Sequence, residues 1–367
     1  MRALIASSAT GGHIYPALAI AEEIKRREPA AEILFVGAKW EIGADIVRNA
    51  GYNQVFIDVR GFDRQNPFRN ISVLMSLARA SGDIKKILSE FKPDVCIGTG
   101  GHVAGPVIRA AFKAGIRTII QEQNVMPGVA NKLAEPYAGR VFVGFEEAVS
   151  FFKNPGNVVV SGNPVRAAFA EAAERRAELR EKYGVPEGAF CVLFFGGSQG
   201  ADAINEAAVD VVRELGGQAG YYFIVITGRR GLPRGSEDET SGNVVVMEYA
   251  DEIYELYAAA DLLVTRAGGL TMAEITQSGK ASILIPSPNV TGNHQYYNAK
   301  ALADAGAAVL LDESEMRGAG QKEPSLLSGE IERLRGDWDA VRAMGEAAKG
   351  LAKPEAAKVI ADELFGR

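Results

Sequence analysis

Short runs rich in Val, Ile and Leu alternate along the chain with longer stretches in which apolar residues recur at helical spacing. Apolar runs of roughly four to eight residues suit strands covered on both faces, and their alternation with helices predicts parallel sheets of the α/β class. In the first half the predicted strands are Ala3–Ser7, Ile33–Gly37, Val55–Val59, Val95–Gly98, Thr118–Gln121, Val141–Val143 and Val158–Ser161. The alternation then restarts with Cys191–Phe195, Tyr222–Thr227, Val244–Met247, Leu262–Thr265, Ser282–Ile285 and Val309–Leu311. Between the halves lie the turn-rich Ser161-Gly162-Asn163-Pro164 and a charged helix predicted from Ala167 to Tyr183. The expected domains are therefore 1–162, rejoined by a C-terminal helix within 350–367, and 163–349. Each half opens with a strand, a glycine loop and a helix. That repetition predicts two Rossmann-like domains facing across a cleft, with ligands at the carboxyl ends of the strands.

Composition narrows the class. The chain has 367 residues, 47% of them apolar and 23% charged, as in ordinary globular proteins. Its net charge of −6 argues against nucleic acid as a partner. Cys96 and Cys191 sit in apolar runs and read as buried small hydrophobes in a reducing compartment. The opening Met1-Arg2-Ala3-Leu4-Ile5-Ala6 reads as a first strand, too short for a signal peptide. No apolar stretch approaches the roughly 20 residues needed to span a bilayer, so the expected location is cytosolic or at a membrane surface.

Glycine loops between a strand and a helix let backbone N–H groups approach an anion, and the helix start adds about half a positive charge. Gly196-Gly197-Ser198-Gln199-Gly200 and Ala267-Gly268-Gly269 have this form. The first loop, Ser8-Ala9-Thr10-Gly11-Gly12, lacks the Gly-x-Gly-x-x-Gly spacing, and the second strand ends without an acid, which disfavours nicotinamide cofactors. All three histidines, His13, His102 and His294, follow polar or glycine loops, where an imidazole can accept a proton at neutral pH. Glu274, in Thr271-Met272-Ala273-Glu274, fits either a helix capping box or a carboxylate that accepts ribose hydroxyls. The sole Asp-x-Asp, Asp337-Trp338-Asp339, lies in a helix-like stretch away from any strand end, so no metal site is expected and leaving-group charge falls to backbone amides, Arg166 and Arg266. From Arg60 to Lys86 basic residues surround Phe62, Phe68, Leu74, Met75 and other apolar side chains, which fits either a helix on its own core or a surface for anionic lipid.

The loops together resemble one family, the N-acetylglucosaminyltransferases that convert undecaprenyl-pyrophosphoryl-N-acetylmuramoyl-pentapeptide (lipid I) to lipid II. The resemblance is carried by Thr10-Gly11-Gly12-His13-Ile14-Tyr15-Pro16-Ala17-Leu18-Ala19, Gly100-Gly101-His102-Val103-Ala104-Gly105-Pro106, Glu122-Gln123-Asn124, Gly162-Asn163-Pro164-Val165-Arg166, Gly196 to Gly200, Arg266 to Glu274 and Gln295-Tyr296-Tyr297-Asn298-Ala299, in family order. It implies a GT-B glycosyltransferase that inverts the anomeric centre without metal or cofactor, with UDP-N-acetylglucosamine as donor, lipid I as acceptor and peripheral contact with anionic membrane at its cytoplasmic face. The resemblance also assigns the first domain to the acceptor and membrane and the second to the UDP-sugar. It implies donor contacts at Ser198, Ala250, Arg266, Gly269, Leu270, Thr271, Met272, Ala273, Glu274 and Gln295, with Glu274 on the ribose. Thr10, Gly11, Gly12, Asn124, Asn131 and Arg166 match further substrate-binding positions. His13 matches the family's general base, and Glu122 stands with it as a catalytic candidate. Three departures stand out: Ser7-Ser8-Ala9 replaces further glycines, Gln121 stands where histidine is frequent, and His102 where tyrosine is common. The competing expectations are a nucleotide-sugar 2-epimerase of the same fold or a glycolipid synthase with another acceptor.

Overall fold

The computed structural model describes residues 1–8, 11–39, 44–59, 70–197, 199–234, 242–316 and 325–366, without the side chains of residues 44, 70–78 and 291. Thr10, Ser198 and most of the basic segment Arg60 to Lys86 lie outside what is described. The chain divides into two compact units, Met1–Val165 with Pro354–Arg367, and Arg166–Lys353.

The first unit is built on β1 (Arg2–Ser7), β2 (Glu32–Ala38), β3 (Asn53–Ile57), β4 (Val95–Gly100), β5 (Arg117–Glu122), β6 (Arg140–Val143) and β7 (Val158–Val160). All pair in parallel, in the order β3-β2-β1-β4-β5-β6-β7. Helices cover both faces, which is why β1 and β4 are almost wholly apolar rather than alternating. One core holds Leu4, Val36, Cys96, Val107 and Ile120, and the other holds Ile5, Ile20, Ile97 and Ile119. The second core is completed from the far end of the chain. Helix Ala356–Phe365 lays Ile360 and Leu364 onto it, and Arg27 of helix Gly11–Arg27 donates to Asp362 at 2.6 Å and to the Lys358 carbonyl at 3.0 Å.

The second unit repeats the scheme with β8 (Phe190–Phe195), β9 (Tyr221–Ile226), β10 (Val244–Met247), β11 (Leu262–Thr265), β12 (Ala281–Leu284) and β13 (Val309–Leu310). Their order is β10-β9-β8-β11-β12-β13, again parallel. Both sheets thus reverse direction beside their first strand, between β1 and β4 and between β8 and β11. The loops leaving those strand ends flank the switch point, where open α/β sheets bind ligands.

All thirteen predicted strands are present, with ends that move by one or two residues. One prediction fails. The single charged helix from Ala167 to Tyr183 is two helices, Ala168–Glu174 and Arg176–Lys182. The second of these is anchored one turn apart: Arg176 donates to the carbonyls of Ala258 and Ala260 and to Asp261, and Arg180 reaches the Ala259 carbonyl and Asp261. Asp337 caps helix Trp338–Gly350 by accepting from the Ala340 N–H at 2.9 Å, and Asp339 pairs with Arg342, so the Asp-x-Asp has a local structural use. Cys96 and Cys191 are fully buried in β4 and β8, and burial pushes each thiol up to about 12.

Candidate active site

In the first unit the switch point gathers polar side chains from four strand ends. Helix Gly11–Arg27 starts just after β1 and presents His13, half-buried, in its first turn. Its Nδ1 lies 3.0 Å from Oε1 of Gln123, which follows β5. The Nδ1–Cε1 edge of the ring also lies against the end of β4: a Cβ on Gly100, whose φ is +114°, would come to 2.8 Å from both atoms. Glycine is needed there for both the backbone angle and the close approach. The next residue, Gly101 (φ +76°), makes room in the same way for the Ser8 hydroxyl. Ser8, one of the residues replacing glycine in the first loop, lies 3.5 Å from Nδ1 of His102. His13 and His102 therefore lie just after the ends of the neighbouring strands β1 and β4, whereas His294 belongs to the second unit.

Glu122 is 1% exposed and accepts four hydrogen bonds. Oε1 takes the Asn124 N–H at 3.0 Å and its Nδ2 at 3.1 Å; Oε2 takes the Gly128 N–H at 2.9 Å and Asn131 Nδ2 at 2.8 Å. Both oxygens are thus spent on its own loop. In this geometry Glu122 holds Asn124 and Asn131 in place. Gly11 is buried at the helix start, while Gly12 is exposed with nothing within 4 Å of a Cβ.

In the second unit, helix Gly269–Ser278 begins at the end of β11 with Gly268 as N-cap. Thr271 is therefore already inside the first turn, which rules out the capping-box reading of Glu274. Glu274 is buried and accepts from the Tyr257 hydroxyl at 3.3 Å. Burial pushes its carboxyl up to about 7, with the Arg166 charge and the Tyr257 bond opposing. Arg166 lies over the rings of Tyr254 (5.3 Å) and Phe169 (5.8 Å), and Phe169 packs edge-on against Tyr257 at 5.3 Å. Gln295 accepts the Ser287 N–H at 2.8 Å, which turns its amide nitrogen the other way. Asn298, fully buried, holds the glycine loop through the Ala267 carbonyl at 3.0 Å. Gly200 (φ +76°) packs directly on the Thr227 carbonyl, which also accepts from Asn205 at 2.9 Å.

The expected donor residues separate by what they can offer. The side chains of Leu270 and Met272 are buried, while Thr271, Ala273 and Ala250 are half-buried. Arg266 is tied to Glu313 at 2.5 Å and to the Ile285 carbonyl at 3.1 Å. Sequence reasoning missed Gln123 as the partner of His13 and Tyr257 as the partner of Glu274. Separations of 110 and 17 residues leave no local pattern for either pair.

Residues 4–143 match the glycosyltransferase family 28 N-terminal domain and residues 191–360 its C-terminal domain. The chain is 40% identical, over 99% of its length and 97% of the relative's, to the UDP-N-acetylglucosamine–N-acetylmuramyl-(pentapeptide) pyrophosphoryl-undecaprenol N-acetylglucosamine transferase of Desulforudis audaxviator. Among solved structures, MurG of Acinetobacter baumannii superposes with a TM-score of 0.74 at 23% identity, covering 100% of this chain and 99% of that one. A UDP-GlcNAc 2-epimerase from Neisseria meningitidis gives 0.69 at 13%, covering 100% of both. These two likenesses show the shared fold, a GT-B pair of Rossmann-like domains. Matching both domains of family 28, and a transferase along nearly its whole length, the chain belongs to the UDP-N-acetylglucosamine–N-acetylmuramyl-(pentapeptide) pyrophosphoryl-undecaprenol N-acetylglucosamine transferases.

Proposed function

We propose that this protein transfers N-acetylglucosamine from UDP-N-acetylglucosamine to the 4-hydroxyl of the N-acetylmuramoyl unit of lipid I, forming lipid II for peptidoglycan. The observation that carries this is the 40% identity to a transferase of that name over 99% of the chain. The epimerase reading rests on a shared fold at 13% identity and is not favoured.

The site residues support an inverting displacement with one base. His13 Nε2 takes the proton of the acceptor hydroxyl as its oxygen bonds to the anomeric carbon, and the bond from that carbon to UDP breaks. The new bond forms on the opposite face, giving a β linkage. Charge developing on the departing pyrophosphate is met by the start of helix Gly269–Ser278 and by the amides of the Gly196 to Gly200 loop. Glu274 binds the ribose, Arg166 and Ala250 the base end of UDP, and Asn124 and Asn131 face the acceptor sugar.

Among the described residues no helix is long and apolar enough to cross a membrane. Peripheral binding at the cytoplasmic face is supported by an exposed patch on the first unit. Val129 and Leu133, one turn apart on helix Val129–Ala134, are 52% and 66% exposed, and Phe112 is 50% exposed. Lys132 lies over the Phe151 ring at 5.0 Å and Arg109 over Tyr137 at 5.5 Å, so cations flank the apolar surface.

Incubating the protein with UDP-N-acetylglucosamine and a short-chain lipid I analogue tests the reaction. The disaccharide-bearing lipid and UDP are expected in equal amounts. UDP released without disaccharide, or isomerised nucleotide sugar, would overturn the assignment.

A further inference from the structure

We infer that a buried amide relay, Asn163 to Gln121 to Gln123, is a positioning device that holds His13 in its Nδ1–H tautomer. It deepens the reading of His13 as the base and rests on that reading.

The orientation of each amide follows from its partners. Gln123 Nε2 donates to the backbone carbonyls of Thr99 (2.7 Å) and Gln121 (3.2 Å), and to the Gln121 Oε1. Turning that amide over would set its oxygen against three other oxygens. Gln123 must therefore present Oε1 to His13, and an oxygen only accepts, so Nδ1 at 3.0 Å carries the hydrogen. In a neutral imidazole this leaves the lone pair on Nε2.

Gln121 is pinned in turn. Its Nε2 donates to Asn163 Oδ1 at 2.8 Å and to the Glu122 carbonyl at 3.2 Å, which leaves its own oxygen for Gln123. Asn163 Nδ2 donates to the Gln123 carbonyl at 2.9 Å and closes the circuit. Gln121, Gln123 and Asn163 are 0%, 2% and 4% exposed, so water does not compete for these bonds. Every amide in the relay is fixed by at least one backbone carbonyl, which cannot turn over. Gly100, lacking a Cβ, lets the ring lie against the end of β4. This also accounts for Gln121 at a position where the family often carries histidine. The place calls for one acceptor toward Gln123 and one donor toward Asn163, and either side chain supplies that pair.

The chain holds only three histidines, so nitrogen-15 histidine labelling gives three ring patterns, with His13 identified by its loss in His13→Ala. At a pH where the ring is neutral, the parent is expected to show a protonated Nδ1 and a pyridine-like Nε2 for His13. Gln123→Leu should move His13 toward the Nε2–H form and lower kcat by at least about 10-fold with KM little changed, since a wrong tautomer disables a base without displacing substrate. Gln121→Leu should shift the tautomer in the same direction, and Gln121→His should restore it. A parent His13 in the Nε2–H form overturns the relay whatever the activity, and so does a tautomer unmoved in Gln123→Leu. Nδ1–H in the parent, with a His13→Ala variant that transfers sugar at the parental rate, would overturn the base assignment and leave the relay standing.

Discussion

Burial pushes the Glu274 carboxyl up to about 7, from an ordinary glutamate value near 4.3. A group with a raised folded pKa contributes stability that is complete below its unfolded value and is lost as pH rises through the folded one. For the ligand-free protein this predicts a loss on the order of 3 kcal/mol between about pH 4.5 and 7. Thermal melts across that range should show the decline, and Glu274→Gln should flatten it. Ribose hydroxyls donate to a carboxylate and so favour its ionised form. Binding of UDP-N-acetylglucosamine at pH 6 should therefore release a proton, read by titration calorimetry in buffers of different ionisation heat; Glu274→Gln should bind more weakly with no release. A proton release of zero in the parent would remove the ribose contact. The identity of these residues was legible in the sequence, but their state was not. His13, His102 and His294 look alike along the chain, and only the fold supplies Gln123 to one and Ser8 to another. Arg266 is legible as a cation beside a glycine loop, and only the fold shows Glu313 next to it.

Strands and glycine loops were the most legible elements, because a parallel strand buried on both faces is an uninterrupted apolar run bounded by turn residues. What the pattern does not encode is where hydrogen bonding stops. Val59 is buried and apolar, and so read as strand, yet β3 ends at Ile57. The loops separate glycines required by the fold from one that faces open space. Gly101→Ala needs a positive φ and would overlap Ser8, so we expect a loss of about 2 kcal/mol or more, seen as a melting point lowered by several degrees. Gly12→Ala meets open space and should leave the melting point within about 1 °C. If Gly12 borders bound substrate, the same variant loses activity; unchanged activity would remove it from the site.

At the scale of the whole molecule, the repetition of one topology in two units was visible as a restart of the strand pattern. The return of helix Ala356–Phe365 to the first unit depends on Ile360, Leu364 and the Arg27 pairing, which join residues more than three hundred positions apart. In the sequence, Arg60 to Lys86 is the segment that fits a surface for anionic lipid. The described surface adds Phe112, Val129, Leu133 and Phe151, whose exposure no periodicity reveals because each lies in an otherwise ordinary helix or turn. A Phe112→Glu, Leu133→Glu double variant should sediment less with vesicles of anionic phospholipid while keeping its rate on a soluble acceptor analogue. Equal sedimentation would exclude this patch.

We propose that sugar transfer in this family 28 protein runs on His13 as its base. The most direct measurement is the single-turnover rate from UDP-N-acetylglucosamine to a short-chain lipid I analogue, for the parent and for His13→Ala, with both substrates saturating. Loss of a general base predicts a fall of about 10²- to 10⁴-fold with donor affinity retained. A His13→Ala rate within a few-fold of the parent would contradict it.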